Sequence, residues 1–342
     1  SQEFKIKEII EMKIKMILQG MILCLAFMNA GLLNGQSRIA FYNVENLFDT
    51  IDNPLTDDQE FLPNSPKQWN TTRYFNKISN LGYVINQIHP EIMGFTEIEE
   101  ESVLKDLVNA DSLKKYNYKW AHKSARDPRG IEPAMIYRSD LWQSKSVELL
   151  LLKDKLTGED TLYRRGILHV ELVNLKDKSS CHVYVNHWKS RRGGEDETDH
   201  LRIKSANSLA KSIEKVKRKS PNANIIIVGD FNDGPKDASL QKISNGKDGK
   251  FYNAAAYIDP TQEGTYYFKP KKAWDVFDQI ILSQNVAAKN AFPKQIIYKD
   301  NKITFKNRKT GECFPNQTFG QGNKYYNGYS DHYPVYLDIN LN

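Results

Sequence analysis

Cysteine is scarce, with three residues in a chain of 342. So few cannot build a disulfide scaffold, and no Cys-x-x-Cys pair or Cys/His cluster suggests zinc. Charge of one sign is also lacking. Lys and Arg number 48 against 42 Asp and Glu, a net of +6. That balance suits a polyanionic partner but does not demand one. The chain has no collagen-like or Gln/Asn-rich tract and no internal repeat. No linker rich in Pro, Gly or Ser divides it. After the first 36 residues no apolar run approaches the roughly 20 residues of a membrane span. What is present is 40% apolar and 26% charged, ample for a packed core.

Residues 1–36 read as a targeting segment. Met12-Lys13-Ile14-Lys15 is a short basic start, and Met16 to Leu33 carries no charge. Leu33-Asn34-Gly35-Gln36 offers a cleavage region. Gln19, Gly20, Asn29 and Gly31 interrupt the apolar run, which argues for a secretory leader over an anchor. Cys24 follows the bulky Leu23, which speaks against lipidation. The expectation is an exported monomer, periplasmic, cell-surface or extracellular, with one domain over residues 37–342 and no stable insertion in a membrane. Cys181 and Cys313 could pair in an oxidising compartment, but their sequence separation does not show proximity.

Strands and helices interleave along the remaining chain. Arg38–Tyr42, Ile92–Phe95, Ala134–Tyr137, Val147–Leu152, Ile167–Leu172, His182–Val185, Phe277–Leu282 and Val335–Ile339 read as strands. Ile225–Val228 is entirely aliphatic, the mark of a central strand buried on both faces. Tyr74, Ile78, Leu81, Ile85 and Ile88 recur at helical spacing and stop before Pro90. Thr198 reads as the cap of a helix with the stripe Leu201, Ile203, Ala206, Ala210, Ile213 and Val216. This order predicts one α/β domain with helices outside the sheets. Asp49–Trp69 and Lys299–Tyr329 read as long surface loops of the kind that shape binding sites.

Polar residues flank the apolar runs directly. Asn43 and Glu45 follow the first, Glu97 the second, and Asn186 and His187 follow Val183–Val185. Gly229-Asp230-Phe231-Asn232 follows Ile225–Val228, Asp278 opens a strand, and Ser330-Asp331-His332 precedes the last one. Polar groups at the rim of a packed sheet are how α/β folds build sites. Glu97, Asp230 and Asp331 are hard oxygen ligands that select Mg²⁺, Mn²⁺ or Ca²⁺ over zinc. Asn43, Asn186 and Asn232 can orient water or donate to a phosphate oxygen. His187 and His332 can carry protons, and Asp278 can fix the tautomer of one of them. Together these groups suit attack of water on a phosphate ester.

Phe41-Tyr42-Asn43-Val44-Glu45-Asn46, Gly94-Phe95-Thr96-Glu97, Val185-Asn186-His187-Trp188, Gly229-Asp230-Phe231-Asn232, Phe277-Asp278-Gln279-Ile280 and Ser330-Asp331-His332-Tyr333-Pro334 occur in this order. In that order they resemble the endonuclease/exonuclease/phosphatase superfamily of DNase-like metallohydrolases, over essentially all of residues 37–342. The resemblance implies a four-layer αββα sandwich, two packed mixed or mainly antiparallel sheets flanked by helices, with the site on one edge. It makes Glu97 the principal metal ligand, with Asn43 and Asp331 beside it. Asp230 would position or deprotonate the attacking water, or bind a second metal. Asn232 would hold the phosphate, and Asp278 and His332 would pair. His187 matches the second histidine of the DNase and sphingomyelinase branches. Whether Asp230 or His332 is the base stays open.

Blander roles exist for each residue. Asp230, Asn232 and Asp233 also suit a turn after a strand. Glu99, Glu100 and Glu101 read as a solvated helix start. Lys189, Arg191 and Arg192, followed by two glycines, form a basic run that either contacts substrate phosphates or is merely solvated. Arg165 is a weaker candidate for the same contact. Trp69, Trp188, Tyr266, Tyr267 and Trp274 could stack bases or pack internally. The expected activity is metal-dependent phosphodiester hydrolysis, with DNA or RNA as substrate. The alternatives are a phospholipid, sphingolipid or phosphosugar as substrate, or a non-catalytic binding module.

Overall fold

The computed structural model describes residues 35–125, 127–154, 161–245 and 251–341. The leader read at residues 1–36 lies outside them, save its last two. Two six-stranded sheets stack face to face. The first holds β1 (Ser37–Leu47), β2 (Ile92–Ile98), β3 (Tyr118–His122), β4 (Glu132–Arg138), β13 (Ile296–Ile297) and β16 (Val335–Ile339), in the order β13-β16-β1-β2-β4-β3. The second holds β5 (Trp142–Asp154), β6 (Thr161–Asn174), β7 (Ser180–His187), β8 (Asn224–Asp230), β9 (Phe251–Asn253) and β12 (Asp278–Ser283), in the order β5-β6-β7-β8-β12-β9. Both are mixed: β1 runs parallel to β2 and β7 to β8. Two ribbons, β10 (Tyr266–Phe268) with β11 (Ala273–Asp275) and β14 (Thr304–Lys306) with β15 (Cys313–Pro315), stand beside them.

Side-chain alternation builds the layers. On β1, Ile39 and Phe41 point between the sheets while Ala40 and Tyr42 face outward. On β8, Ile226 and Val228 point inward, Ile225 and Ile227 outward. The aliphatic run is thus buried on both faces, as its composition predicts. Helices α1 (Thr71–Ile88) and α2 (Glu101–Val108) cover the first sheet. Helices α3 (Glu195–Lys219) and α4 (Ala238–Ser244) cover the second, and α5 (Gln284–Lys289) packs beside β12. The result is the expected four-layer sandwich.

The sheets pack tightly at Gly94. A Cβ there would fall 2.7 Å from Val228 Cγ2 and 3.2 Å from Val185 Cγ1. No larger residue fits without moving β7 and β8, so this glycine sets the spacing of the layers.

Local details depart from the sequence reading. Thr198 does not cap α3: the helix starts at Glu195, and the Thr198 hydroxyl donates to the Gly194 carbonyl at 2.7 Å. Gly193 and Gly194, at φ +101° and +116°, turn the chain into the helix, and Glu195, Asp196 and Glu197 sit at the positive end of its dipole. Glu99 is not solvated. It is buried, accepts from Asp49 N at 2.7 Å, and burial pushes its carboxyl up to about 8. The Asp49–Trp69 segment is packed about its own aromatics. Phe48 and Phe61 stack at 4.2 Å, and buried Trp69 donates Nε1 to the Phe48 carbonyl at 2.9 Å. Trp188 is also internal, edge-on to Phe231 at 4.8 Å. Cys181 lies between the sheets and Cys313 is exposed; both are free thiols, so no bridge forms.

Glu132 opens β4 buried, accepting from Ala125 N at 2.9 Å and Asp127 N at 3.3 Å. Burial raises its carboxyl to about 7 despite these donors. A carboxyl that titrates higher in the folded than in the unfolded chain binds extra protons when folded. Its contribution is full below about pH 4.5 and is lost as pH rises through 7. Glu132→Gln keeps an acceptor and removes the titration. Its melting temperature should depend less on pH between 4.5 and 7 than wild type's, with a gain at pH 8. Parallel melting profiles for the two proteins would refute the shift.

Candidate active site

One edge of the sandwich collects the C-terminal ends of β1, β2, β7 and β8 and the N-terminal ends of β12 and β16. Strand parity decides what arrives there. Asn43 continues the inward row of Ile39 and Phe41, and His187 that of Val183 and Val185. Asp230 follows Ile226 and Val228, and Asp278 precedes Ile280 and Leu282 on the same face. Each strand therefore delivers a polar residue into one slot between the sheets.

Glu97 breaks this rule. Met93 and Phe95 face the outer helices, so plain alternation would send Glu97 outward with them. The pairing of β2 slips against β1 after Asn43 and against β4 after Phe95, and Glu97 takes φ +66°. The bulge turns its carboxylate into the slot. Asn46 N donates to Glu97 Oε2 at 2.9 Å, and Asn43 Nδ2 lies 3.4 Å from Oε1.

The same Asn43 Nδ2 donates to Asp230 Oδ2 at 3.0 Å. His187 Nε2 lies 3.8 Å from Glu97 Oε1 and 3.7 Å from Asp230 Oδ2. Alongside, His332 Nδ1 donates to Asp278 Oδ2 at 2.7 Å, and Asp278 is the register partner of Asp230. Tyr266 leans over the His332 ring at 4.9 Å. The structure thus brings together Asn43, Glu97, His187, Asp230, Asp278 and His332.

Electrostatics follow from burying so many acids. Burial raises the Asp230 carboxyl to about 7; the Asp278 charge adds to this and His332 opposes it. Burial likewise raises Asp331, with Glu97 repelling it and His332 and Lys77 opposing. Burial disfavours the His332 imidazolium, but Asp278, Asp331 and Asp230 outweigh it and hold its pKa well above 6.5. Glu45 is partly buried and held, accepting from Thr318 N at 2.6 Å and Phe319 N at 3.1 Å, and burial lifts it to about 7.

Two cations escaped the sequence reading. Lys77 is buried beneath the site on α1, donating to Thr318 Oγ1 and the Tyr329 carbonyl, each at 2.5 Å. Burial lowers its pKa to about 8 against the pull of Glu45, Asp331 and Glu97. Its signal was a lysine on the apolar stripe between Tyr74 and Ile78. Arg202, equally buried, pairs with Asp233 at 2.6 Å. Asp233 is therefore more than a turn residue.

Some expected substrate contacts are engaged within the fold. Asn186 is fully buried; its amide donates to Tyr184 O and Val228 O, and its Oδ1 accepts from Trp188 Nε1 at 3.1 Å. It braces strands, with both ends of its amide engaged within the fold. Arg191 is engaged by acids: Glu195 at 2.8 Å, Asp237 at 2.7 Å and Asp233 at 3.3 Å. Its Nε donates to the Asn232 carbonyl at 2.9 Å, so it pins the Asp230–Asn232 turn. Asn232 itself takes φ +52°, bonds Asp230 Oδ1 through its N–H at 3.0 Å, and is anchored by Nδ2 to the Trp188 carbonyl. Arg192 is exposed and Lys189 partly so. Arg165 stands in β6, but its side chain lies outside the described residues.

The donor chemistry of the slot fits a hard divalent cation: carboxylates and amides, desolvated and repelling one another. Among the described residues no three His, Cys, Asp or Glu side chains converge on one ion. Glu97 and Asn43, which meet in the slot, are the residues that would hold such an ion.

The model of the endonuclease/exonuclease/phosphatase family matches residues 38–341, and the chain belongs to that family. Its structure is similar to an endonuclease/exonuclease/phosphatase family protein from Bacteroides thetaiotaomicron at 16% identity, TM-score 0.58, covering 89% of this chain and 94% of that one. It is similar to the mannosyl-6-phosphatase of the same organism at 17% identity, TM-score 0.57, covering 89% and 99%. The human Nocturnin catalytic domain with bound sulfate follows at 12% identity, TM-score 0.54, covering 89% and 94%. No curated protein matches the sequence. The fold supports a phosphoric ester hydrolase.

The Asp278–His332 pair makes a direct prediction. Asp278→Asn should lower the His332 pKa, so the imidazolium signal in NMR should vanish at lower pH than in wild type. An unchanged titration would mean that the other acids, not Asp278, hold the proton.

Proposed function

We propose that this chain is a divalent-metal-dependent hydrolase of phosphate esters. The observation that carries this is the Asn43 amide within reach of both Glu97 and Asp230, beside the His332–Asp278 pair, in one desolvated slot. Glu97, with Asn43 and Asp331 near it, would hold Mg²⁺ or Mn²⁺, with Ca²⁺ as the larger option. Bound there, the ion would polarise the phosphoryl oxygen and offset developing charge.

The remaining chemistry falls to the chain's own groups. Asp230, with its pKa near 7, is suited to take a proton from water at neutral pH. Its two oxygens are oriented by the Asn43 amide and the Asn232 N–H. His332 stays protonated, so its Nε2 is a donor to a phosphate oxygen or leaving group while Asp278 fixes the ring. This assigns the base to Asp230 and the acid to His332. His187, between Glu97 and Asp230, is placed to donate to a second phosphate oxygen.

The preference for nucleic acid rested on Lys189, Arg191 and Arg192. With Arg191 engaged by acids, that run offers less to a polyanion, and we assign a small phosphate ester as substrate. A phosphatase stands among the similar structures. Cleavage of DNA or RNA is the second reading, favoured by exposed Arg192 five residues after His187. Residues 1–36 keep the reading of an export leader.

Chelator should abolish hydrolysis of a phosphate ester, and Mg²⁺ or Mn²⁺ should restore it. Asp230→Asn should cut kcat by about 10²-fold or more, the scale of a lost general base. Its melting temperature should stay near wild type. Full turnover in chelator would exclude the metal assignment. Faster cleavage of plasmid DNA than of any small ester would favour the second reading.

A further inference from the structure

We propose that the cleft opening beside Asp331 is a ring-binding subsite, and that the substrate is a small phosphate ester whose organic group is a single polar ring. This rests on the phosphate-ester reading above and names its substrate class. The cleft has a volume of about 240 Å³, and Tyr266, Tyr267, Phe268, Lys269, Phe314 and Gln317 line it together with Asp331. Asp331 belongs to the catalytic edge, so cleft and edge are continuous. Tyr266 joins them a second time, since it lines the cleft and also lies against His332.

The lining is aromatic but not greasy. Tyr267 and Phe314 lie parallel, with ring centroids 5.6 Å apart and planes within 1°. Phe268 is 36% exposed. The Lys269 ammonium sits 4.6 Å over the Phe314 ring and donates to Gln317 Oε1, a neutral acceptor. Among the described residues it makes no ion pair, which leaves its charge for an oxygen-rich or anionic substituent. Stacking surface, one cation and one amide are the groups that grip a ring bearing hydroxyls or carbonyls.

Size narrows the occupant. Pockets for drug-sized ligands run roughly 300–1,000 Å³, so this one suits one ring and not an oligomer or an acyl chain. The walls are also fixed in advance. Glu45 accepts from Thr318 N and Phe319 N, and Lys77 holds Thr318 and the Tyr329 carbonyl, just beyond the Phe314–Gln317 wall. Tyr267 is backed by Trp274 at 4.9 Å. A preformed cleft orders little on binding, which favours affinity for a small ligand.

The chemistry is shared by a sugar ring and a nucleobase, and the test separates them. With Mg²⁺ present, kcat/KM is measured for a hexose 6-phosphate, a nucleoside 5′-monophosphate and ringless glycerol phosphate. Wild type should prefer at least one ring ester by about tenfold or more. Phe268→Ala and Lys269→Gln should each cost that ester about tenfold more than glycerol phosphate, mainly in KM, with melting temperatures near wild type. Whichever ring ester shows the differential loss identifies the ring. Equal losses on ring and ringless esters, or a wild-type preference for glycerol phosphate, would overturn the subsite and leave the phosphate-ester reading standing. No turnover of any of the three by wild type would overturn both.

Discussion

The Asn43 amide crosses from one sheet to the other. It sits on β1, and its Nδ2 donates to Asp230 on β8 at 3.0 Å. Every other part of the slot depends on those two strands meeting at that height. They can meet because Gly94 leaves room for Val185 and Val228 just below. A side chain at Gly94 would push β7 and β8 away and carry His187 and Asp230 with them. Packing of an apolar interior thus sets the distances between polar groups at its rim.

Closeness has an electrostatic consequence. Glu97, Asp230, Asp278 and Asp331 repel one another, Asp230 and Asp278 in a place that water barely reaches. His332 and buried Lys77 offset part of that repulsion, while burial, with the neighbouring acids added, still raises the Asp230 and Asp331 carboxyls. Some backbone strain falls in the same place: Glu97 and Asn232 both hold positive φ. Such conformations persist where surroundings over-determine them. Here Asn46 N fixes Glu97, while Arg191 and Asp233, backed by buried Arg202, fix the turn carrying Asn232.

Much of this was legible in the sequence because strand parity is simple. Once Ile39, Phe41, Ile226 and Val228 face inward, Asn43 and Asp230 must follow. Glu97 was found by its motif and not by parity, since a bulge is invisible to a period of two. The partners of Arg191, namely Glu195, Asp233 and Asp237, were not legible because they converge on it only through the fold; a run of basic residues looks the same free or paired. Asn186 shares the outer face with Tyr184, which parity predicts, but its internal partners could not be read from the sequence. Lys77 was passed over because a single charged residue on an apolar helical stripe usually snorkels outward. The cleft was legible only in part: Tyr266 and Tyr267 read as possible stackers, but only the fold sets β10 against β15.

Mutually repelling acids in one slot should make a divalent cation a stabilising ligand, independent of turnover. Differential melting with and without saturating Mg²⁺ tests this most directly, on wild type and Glu97→Gln side by side. Binding at about 100 times the dissociation constant stabilises the folded state by roughly 2.7 kcal/mol. Wild type should therefore melt several degrees higher with Mg²⁺, and Glu97→Gln should lose most of that gain. An equal gain in both proteins, or none in either, would contradict a cation held by Glu97 at this edge.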